Sequence, residues 1–187
     1  MATPTCPFCW RSSAVTFFWF SHSRSSCGSS SRKRLGSGRT ELARLLYGAD
    51  KPDAGQIVMH GKKADIPTPA EGLAHRVAFS TENRRDEGIV GDLTVRENLI
   101  LAMQAKRGWA RPIPRAEQNR LADNYIRQLD IRTSGREKPI GELSGGNQQK
   151  IILGRSLVTT PRVLILHEPT RGIDVGAKAE IYGILRG

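Results

Sequence analysis

The chain has 187 residues, and its 29 lysines and arginines against 18 acidic residues give a formal net charge of +11. This length suits one domain with a sizeable core. No run of 18 apolar residues occurs, so the sequence predicts no membrane-spanning helix, and the composition excludes collagen-like, disulfide-dense and wholly disordered chains. The positive charge favours a polyanionic partner such as a polyphosphate, a nucleic acid or an anionic membrane.

The composition changes abruptly near Arg34. Residues 1–34 hold all three cysteines, four of the five phenylalanines and five basic residues, but no acidic residue. Residues 35–187 hold all 18 acidic residues and no cysteine. We therefore expect an atypical segment at 1–34 and a domain at 35–187, with nearly half of the excess positive charge in the first.

The segment 1–34 supports several interpretations. The ligand types of a small zinc site are present, as Cys6, Cys9, His22 and Cys27. The apolar stretch 14–20 resembles the hydrophobic part of a targeting peptide. The serine-rich, basic stretch 25–34 has no apolar surface to bury and is expected to be disordered. An out-of-frame or misplaced start would also produce this composition.

From residue 35 onward, hydrophobic spacing predicts helices that alternate with strands. Apolar residues recur at three- and four-residue spacing in predicted helices at 39–47, 95–105, 115–130, 144–158 and 177–185. Short apolar runs bounded by turn residues predict strands at 56–60, 76–80 and 163–167, with a turn at 61–63. This alternation indicates an α/β fold with a largely parallel sheet.

The start of the first predicted helix has the residue types of a phosphate-binding loop. Residues 35–41 read Leu-Gly-Ser-Gly-Arg-Thr-Glu. Small residues let backbone N–H groups surround phosphate oxygens, and a helix N-terminus favours negative charge. Arg39 supplies a cation and Thr40 supplies a hydroxyl for Mg²⁺. A flexible turn before a helix would contain the same glycines.

A glycine-rich helix start follows at residues 143–150, which read Leu-Ser-Gly-Gly-Asn-Gln-Gln-Lys. Ser144 can cap the helix, and Gly145 and Gly146 leave its first N–H groups accessible to an anion carried by another molecule. A linker that ends in a glycine-rich cap is the structural alternative.

The predicted strand 163–167 ends next to an acidic residue. Its four aliphatic residues suit a strand that is covered on both faces. In a nucleotide-hydrolysing sheet, such a strand end places one carboxylate near Mg²⁺ and the next where it polarises a water molecule. His167 occupies the first position and Glu168 the second. A core strand that ends in a capped loop is the structural alternative.

Four segments in this order resemble the ATP-binding subunit of an ABC transporter, a P-loop NTPase. They are Gly-Ser-Gly-Arg-Thr-Glu at 36–41, Thr-Glu-Asn-Arg-Arg at 81–85, the segment 143–150, and His-Glu-Pro-Thr-Arg-Gly-Ile-Asp-Val-Gly at 167–176. More narrowly, they resemble the second nucleotide-binding half of the tandem ATPases that energise ribose- and galactose-type importers. Within this group, the histidine before Glu168 is most similar to the ATPase of the galactofuranose importer. The resemblance implies an incomplete ABC-type nucleotide-binding domain with a helical signature subdomain.

The resemblance implies a role for each matching residue. ATP would be bound by Gly36, Ser37, Gly38, Arg39, Thr40 and Glu41. Thr40 and Glu82 would hold Mg²⁺, and Glu168 would be the general base. The γ-phosphate of ATP on the opposing half would contact Ser144, Gly145 and Gly146. Asp174 would lie in the loop that crosses the dimer interface.

Three of these positions depart from the family's pattern. Arg39 replaces a lysine, and its planar guanidinium does not fill the pocket of a compact ammonium group. Glu82 replaces a glutamine, and His167 replaces the aspartate that orients Mg²⁺ and its waters. We therefore expect this half to bind ATP, to hydrolyse it poorly, and to complete the site of its partner half.

The resemblance also implies partners and a location. The partners would be the opposing nucleotide-binding half, membrane-spanning permease subunits and, indirectly, a periplasmic sugar-binding protein, at the cytoplasmic face of the inner membrane. No nucleic-acid partner is expected, because residues 147–150 match the sugar-import subfamily. The alternatives are a truncated, inactive fragment and a soluble ABC-type protein that acts on nucleic acid. The sequence does not identify the sugar.

The resemblance covers residues 35–187 and only part of the family's domain. No apolar run directly precedes the phosphate loop, so we expect its strand to be missing and the sheet to keep an unpaired edge or a gap. Buried backbone groups without partners cost about 1–3 kcal/mol each. The isolated chain is therefore expected to be marginally stable or prone to aggregation.

Overall fold

A mostly parallel β-sheet organises the chain. The computed structural model describes residues 9–11, 16–20, 38–59, 62–81 and 83–186. Its four strands are β1 (Cys9–Arg11), β2 (Thr16–Phe20), β5 (Val77–Ser80) and β6 (Val163–His167), in the spatial order β1–β2–β6–β5. Both β2 and β5 pair in parallel with β6, whereas β1 pairs antiparallel with β2. This sheet, together with its helices, confirms the predicted α/β fold.

Helices and a small hairpin surround this sheet. In chain order the helices are α1 (Arg39–Tyr47), α2 (Pro69–Ala74), α3 (Val95–Arg107), α4 (Arg115–Gln128), α5 (Gly145–Leu157) and α6 (Val175–Arg186). The hairpin consists of β3 (Ile57–Met59) and β4 (Lys62–Ala64). A π-helical turn lies at Arg84–Gly88 and a 3₁₀ turn at Ile140–Glu142. The bounds of α1 are those predicted, and α3 to α6 deviate by no more than 2 residues at either end.

The burial of β6 explains why its bounds agree with the prediction. Leu164, Ile165 and Leu166 are at most 2% exposed. Ile165 packs with Ala43 of α1, whereas Leu164 and Leu166 pack with Leu153 of α5. Because successive side chains of a strand point to opposite faces, the uninterrupted aliphatic run supplies both interfaces. The sheet is therefore covered by α1 on one face and by α5 on the other.

We expected an unpaired edge or a gap in the sheet, but a strand pairs with β6 on the side away from β5. β2 lies beside β6 in parallel, with Thr16 opposite Val163 and Phe20 opposite His167. The aromatic residues of β2 are strong strand formers, and the backbone groups of a buried strand need hydrogen-bond partners on both sides. Two strands from the segment 1–34 thus join the sheet. The stretch 25–34 and three of the four proposed zinc ligands (Cys6, His22, Cys27) lie outside the described residues.

The predicted turn at 61–63 was wrong in part, and α2 was not predicted. Lys62 begins β4 and pairs with Met59 of β3. α2 has only 6 residues, too few for a helical repeat of apolar positions. Its sequence nevertheless contains a start signal, because the Thr68 side chain caps the helix and Pro69 occupies its first position.

A second hydrophobic core lies between α3, α4 and α5. Val95 and Leu99 of α3 pack with Leu129 at the end of α4 and with Ile151 of α5. This cluster forms the helical region in which the segment 143–150 was expected. Among the described residues, no helix combines the length and the apolar character that crossing a bilayer requires.

A buried polar network connects this helical region to the turn that follows β5. Asn98 of α3 is 0% exposed, and its Oδ1 accepts hydrogen bonds from the Val90 N–H (3.1 Å) and from Nη2 of Arg155 (2.6 Å). Arg155 of α5 also donates to the carbonyls of Asn98 (2.8 Å) and Gly88 (2.7 Å). Burial lowers the pKa of Arg155 to about 10, so the guanidinium stays charged at neutral pH.

Replacing Asn98 tests the contribution of this network to stability. We expect Asn98→Ala to lower the free energy of unfolding by about 2–4 kcal/mol, because buried groups left without partners cost about 1–3 kcal/mol each. Urea unfolding followed by circular dichroism measures the change. The control Gln128→Ala alters an exposed residue of α4 and should change stability by less than about 0.5 kcal/mol. Equal stabilities for the two variants would contradict the assignment.

Candidate functional site

The helix α1 starts after Gly38. Gly38 has φ 68° and ψ 0°, a left-handed conformation that favours glycine. Among the residues that the structure describes, none lies within 4 Å of the place where a Cβ would stand at Gly38. The first N–H groups of a helix have no partners within the helix, and its dipole favours an anion there. Gly36 and Ser37 lie outside the described residues, and only the backbone of Arg39 is described.

The fold brings this helix start to the carboxyl end of β6. Thr40 and His167 are 127 positions apart in the sequence, yet the Thr40 hydroxyl lies 3.2 Å from Nε2 of His167. His167 is 7% exposed, so the imidazole is part of the core at the strand end. Two residues that were selected from separate motifs are therefore hydrogen-bonded neighbours.

The chemistry of this pair does not match the usual ligand set for magnesium. Mg²⁺ prefers carboxylate and water oxygens in octahedral geometry. Here the Thr40 hydroxyl is hydrogen-bonded to an imidazole, and His167 occupies the position where a carboxylate was expected. The other proposed ligand, Glu82, lies outside the described residues. The described residues thus fit a phosphate group better than they fit a magnesium ion.

Glu168 begins the turn after β6 in an unusual backbone conformation. Its φ is 46°, in the left-handed region that non-glycine residues rarely adopt. The N–H of Arg171 donates to its carbonyl at 3.0 Å and closes the turn. Such a conformation costs on the order of 1 kcal/mol and occurs often at functional sites. Glu168 is half-buried and directly follows His167, and its role as general base stays a prediction.

A cleft of about 440 Å³ opens beside the Thr40–His167 pair. Its size falls within the range of small-molecule sites. Thr40, Arg44, Phe79, Thr81, Asn83, Glu87, His167 and Arg171 line it. The cleft therefore joins α1, the end of β5, the turn after β5 and the end of β6.

Sequence reasoning missed several polar residues of this cleft. Arg44 binds the Asp50 carboxylate through Nε (2.8 Å) and Nη2 (3.1 Å), and this hydrogen bonding lowers the pKa of Asp50. The Thr81 hydroxyl donates to Glu87 at 2.7 Å. Arg44 follows Thr40 by four positions on one helix, so the two residues share a face of that helix. This spacing was visible in the sequence and could have indicated Arg44 as a residue of the cleft. Glu41 lies in the first turn of α1 and is exposed.

The second glycine-rich segment forms the N-terminus of α5. Ser144 is the N-cap residue, but its hydroxyl makes no capping bond and instead accepts from Nδ2 of Asn147 at 2.9 Å. Ser144 is exposed, whereas Gly146 is buried. A Cβ on Gly146 would lie 2.6 Å from Cβ of Ala177 in α6, so only glycine permits this packing.

Other residues of the segment 143–150 hold α5 in place. Lys150 is 2% exposed, and its Nζ lies 2.7 Å from the Asp130 carbonyl and 2.8 Å from Oε2 of Glu180. The ammonium group lowers the pKa of the Glu180 carboxyl. Gln148 donates to the carbonyl of Leu143 at 3.0 Å. These residues therefore have structural roles, and Glu180 was not indicated by any motif.

Asp174 acts as a helix cap in this structure. Its Oδ1 accepts from the N–H of Ala177 at 2.8 Å, and this bond lowers the pKa of the carboxyl. The geometry is that of an N-terminal cap of α6, because the N–H of Lys178 also donates to the Asp174 carbonyl. The role expected for Asp174 at a dimer interface stays a prediction.

A helix N-terminus beside the end of a buried parallel strand and a polar cleft is an arrangement typical of phosphate-binding α/β proteins. The chain matches the ABC transporter family over residues 34–171. It covers 80% of its length on a solved ATP-binding cassette of an ABC transporter, with 61% of that chain covered, 23% identity and a TM-score of 0.67. A dimeric cassette bound to ADP and Pi gives 21% identity and a TM-score of 0.65 over 80% of this chain and 64% of that one.

Curated relatives have higher sequence identity to this chain than the solved structures have. The chain is 57% identical to the fructose import ATP-binding protein FruK of Bifidobacterium longum, 51% to the galactofuranose transporter ATP-binding protein YtfR of Escherichia coli, and 42% to the ribose import ATP-binding protein RbsA of Bacillus subtilis. Each match covers 81% of this chain but only 29–31% of the relative. The chain belongs to the ABC transporter family, and it spans about three-tenths of the length of these relatives.

The ion pair between Lys150 and Glu180 predicts a pH-dependent contribution to stability. A carboxylate with a lowered pKa in the folded state stabilises the fold above its unfolded pKa, and this stabilisation is lost as the pH falls through the folded-state pKa. We therefore expect Glu180→Gln to lower the free energy of unfolding at neutral pH and to have no effect in strong acid. Urea unfolding at a series of pH values measures this.

A matched carboxylate serves as the control for this pH series. Glu142 forms a more solvent-screened pair with Lys138 at 3.6 Å, so Glu142→Gln should change the profile little. Parallel stability profiles for the wild-type chain and Glu180→Gln would show that the pair does not contribute.

Proposed function

We propose that this chain is the nucleotide-binding part of an energy-coupling ATPase that drives sugar import. The N-terminus of α1 binds the phosphates of ATP, and Gly38 leaves room for them. The meeting of Thr40 with His167 supports this site, because it joins the helix start to the strand end where nucleotide chemistry takes place. The relatives are import ATP-binding proteins for fructose, galactofuranose and ribose.

The imported substrate is a monosaccharide. The three relatives carry the names of three different sugars, and the fructose relative shares 57% identity against 51% for the galactofuranose relative. This identity does not favour the galactofuranose system that His167 suggested. The sugar itself is recognised by other components, the permease subunits and a periplasmic sugar-binding protein.

Within the importer, this chain is the second nucleotide-binding half, and its own site hydrolyses ATP poorly. Glu168, which directly follows His167, accepts a proton from an attacking water molecule in this proposal. His167 is hydrogen-bonded to the Thr40 hydroxyl, and its imidazole cannot replace a carboxylate in orienting water or Mg²⁺. Arg39 and Glu82 add two further departures from the family's pattern. The site therefore retains the groups that bind phosphate and lacks part of the set that supports hydrolysis.

The stronger contribution of this half is to its partner's site. Ser144 is exposed at the N-terminus of α5, and its hydroxyl is oriented by Asn147. Together with Ser144, the backbone N–H groups of Gly145 and Gly146 at the start of α5 contact the γ-phosphate of ATP on the opposing half. Asp174 lies near the same interface. The two halves thus bind ATP jointly.

The permease subunits dock beside the turn that follows β5. A second cleft of about 440 Å³ lies there between α1, α2, β5, α3 and α5. It combines the side chains of Tyr47, Leu73 and Phe79 with the half-buried Arg155, and this mixture of aromatic, apolar and charged groups suits an amphipathic segment of a partner. This docking holds the chain at the cytoplasmic face of the inner membrane. No nucleic acid is involved.

Calorimetric titration of the full chain with ATP tests the nucleotide site. We expect Gly38→Asp to abolish binding, because a carboxylate at the N-terminus of α1 repels phosphate and fills its place. Gly55→Asp is the matched control, since Gly55 also has a positive φ (97°) and an open environment but lies away from the site. Loss of binding in both variants, or in neither, would contradict the assignment.

Restoring a carboxylate at the end of β6 tests whether the site is impaired. We expect the wild-type chain to bind ATP with similar affinity in Mg²⁺ and in EDTA, and His167→Asp to bind about tenfold more tightly in Mg²⁺ than in EDTA. The same change at the exposed His75 should leave both affinities unaltered. A strong Mg²⁺ requirement in the wild-type chain would overturn the proposal of an impaired site.

A further inference from the structure

A strongly basic segment with an exposed tryptophan joins α3 to α4. We call this segment, residues 106–115, the tryptophan loop; it reads Lys-Arg-Gly-Trp-Ala-Arg-Pro-Ile-Pro-Arg. It contains four basic residues and no acidic residue. The Trp109 side chain is 69% exposed, and the next three residues are exposed as well. A large aromatic ring in this position has no role in either hydrophobic core.

The buried side chain of Gln104 fixes the backbone of the tryptophan loop by hydrogen bonds. Gln104 of α3 is 8% exposed, and its Nε2 donates to the carbonyls of Gly108 (2.8 Å) and Arg111 (3.2 Å). Its Oε1 accepts from the N–H of Ile113 at 2.9 Å, and Ile113 itself is buried. Gly108 permits the turn with a φ of 91°. Trp109 is thus presented by an ordered backbone, and binding through it requires little further ordering.

The charges of the tryptophan loop are only partly neutralised. Arg107 lies 3.8 Å from Glu117, and Arg115 lies 3.0 Å from Glu137. Within the described part of the chain, Arg111 has no carboxylate at ion-pair distance, and it is exposed next to the Trp109 turn. An uncompensated cation therefore lies beside the exposed ring.

We propose that the tryptophan loop contacts the anionic phospholipid surface of the membrane. Tryptophan rings favour the boundary between lipid headgroups and acyl chains, where an apolar ring and a polar N–H are both satisfied. Lysine and arginine side chains near an anionic bilayer add attraction, and their long stems reach the headgroups. Trp109 and Arg111 supply both elements on one fixed turn.

The composition and exposure of the loop favour a lipid surface over a nucleic acid. Trp109 is 69% exposed and the three residues after it are exposed as well. Single-stranded nucleic acids are bound in basic grooves with several aromatic rings for successive bases. The tryptophan loop contains one aromatic residue. One exposed ring with adjacent cations matches a flat, anionic, deformable surface.

Co-sedimentation of the full chain with vesicles tests this contact. We expect binding to vesicles of phosphatidylcholine and phosphatidylglycerol, and little binding to phosphatidylcholine alone. Arg111→Gln should weaken partitioning about fivefold, as expected for one cation near an anionic surface, and Trp109→Ala should weaken it at least as much. The matched controls are Arg127→Gln at the far end of α4 and Val58→Ala in β3, which are exposed and should bind as the wild type does.

A second readout reports on the ring itself. Brominated phosphatidylglycerol quenches tryptophan fluorescence at the bilayer interface, and the chain also contains Trp10 and Trp19. The difference between the wild-type chain and Trp109→Phe therefore isolates the contribution of Trp109, and we expect most of the quenching to disappear in the variant. Gly38→Asp should keep vesicle binding, which separates this contact from the nucleotide site.

Three results would overturn the lipid contact. The first is equal partitioning of the wild-type chain, Arg111→Gln and Trp109→Ala. The second is equal quenching by brominated lipid in the wild-type chain and Trp109→Phe. The third is binding of a single-stranded oligonucleotide that depends on Trp109, without binding to anionic vesicles, which would assign the tryptophan loop to nucleic acid instead.

Discussion

The burial of β6 on both faces is the constraint from which the rest of the arrangement follows. Leu164, Ile165 and Leu166 leave almost no surface in water, so α1 must cover one face of the sheet and α5 the other. This packing brings the end of β6 to the start of α1, where the Thr40 hydroxyl reaches His167 at 3.2 Å. The site is thus a consequence of the core, because the strand end and the helix start cannot move independently of it.

The helix α5 packs in the core and begins at the second glycine-rich segment. Gly146 is required by a close contact, since a Cβ on it would lie 2.6 Å from Cβ of Ala177, and a Cβ on Gly154 would lie 2.7 Å from Cδ2 of Leu99, whose side chain would have to shift. Arg155 then links α5 to the carbonyl of Gly88 in the turn after β5. Arg155 is half-buried and its acceptors are neutral, so its partial desolvation is compensated by hydrogen bonds that hold these elements together. Arg155 therefore links the turn after β5, which borders the cleft beside α1, to the helix that begins with the second glycine-rich segment.

The unusual groups of this chain lie at two surfaces with different chemistry. At the cleft beside α1, an imidazole stands at the strand end where a carboxylate was expected, and it is hydrogen-bonded to the Thr40 hydroxyl at the helix start. At the tryptophan loop, fixed backbone geometry presents an aromatic ring together with cations. In both places a rigid scaffold holds polar groups, so their function depends on position more than on flexibility.

The sequence by itself determined the elements with a strong local signal. The strand at 163–167 and the helix at 39–47 were predicted with the observed bounds. A run of aliphatic residues and a helical repeat of apolar residues are both patterns that are visible in the local sequence. The four motifs were sufficient to identify the ABC family, and the match over residues 34–171 confirms it. Short elements such as α2 and β4 escaped prediction because they contain too few residues for a periodic pattern.

Only the tertiary structure decided which distant residues meet. The Thr40–His167 contact, the pairing of β2 with β6, and the ion pair of Lys150 with Glu180 depend on packing between elements that are far apart in the sequence. No local pattern encodes such contacts, because they form only when the hydrophobic faces of the sheet and helices are buried against each other. The residues that we propose to bind phosphate were selected from the sequence, whereas the contacts that bring two of them together, Thr40 and His167, were set by the fold.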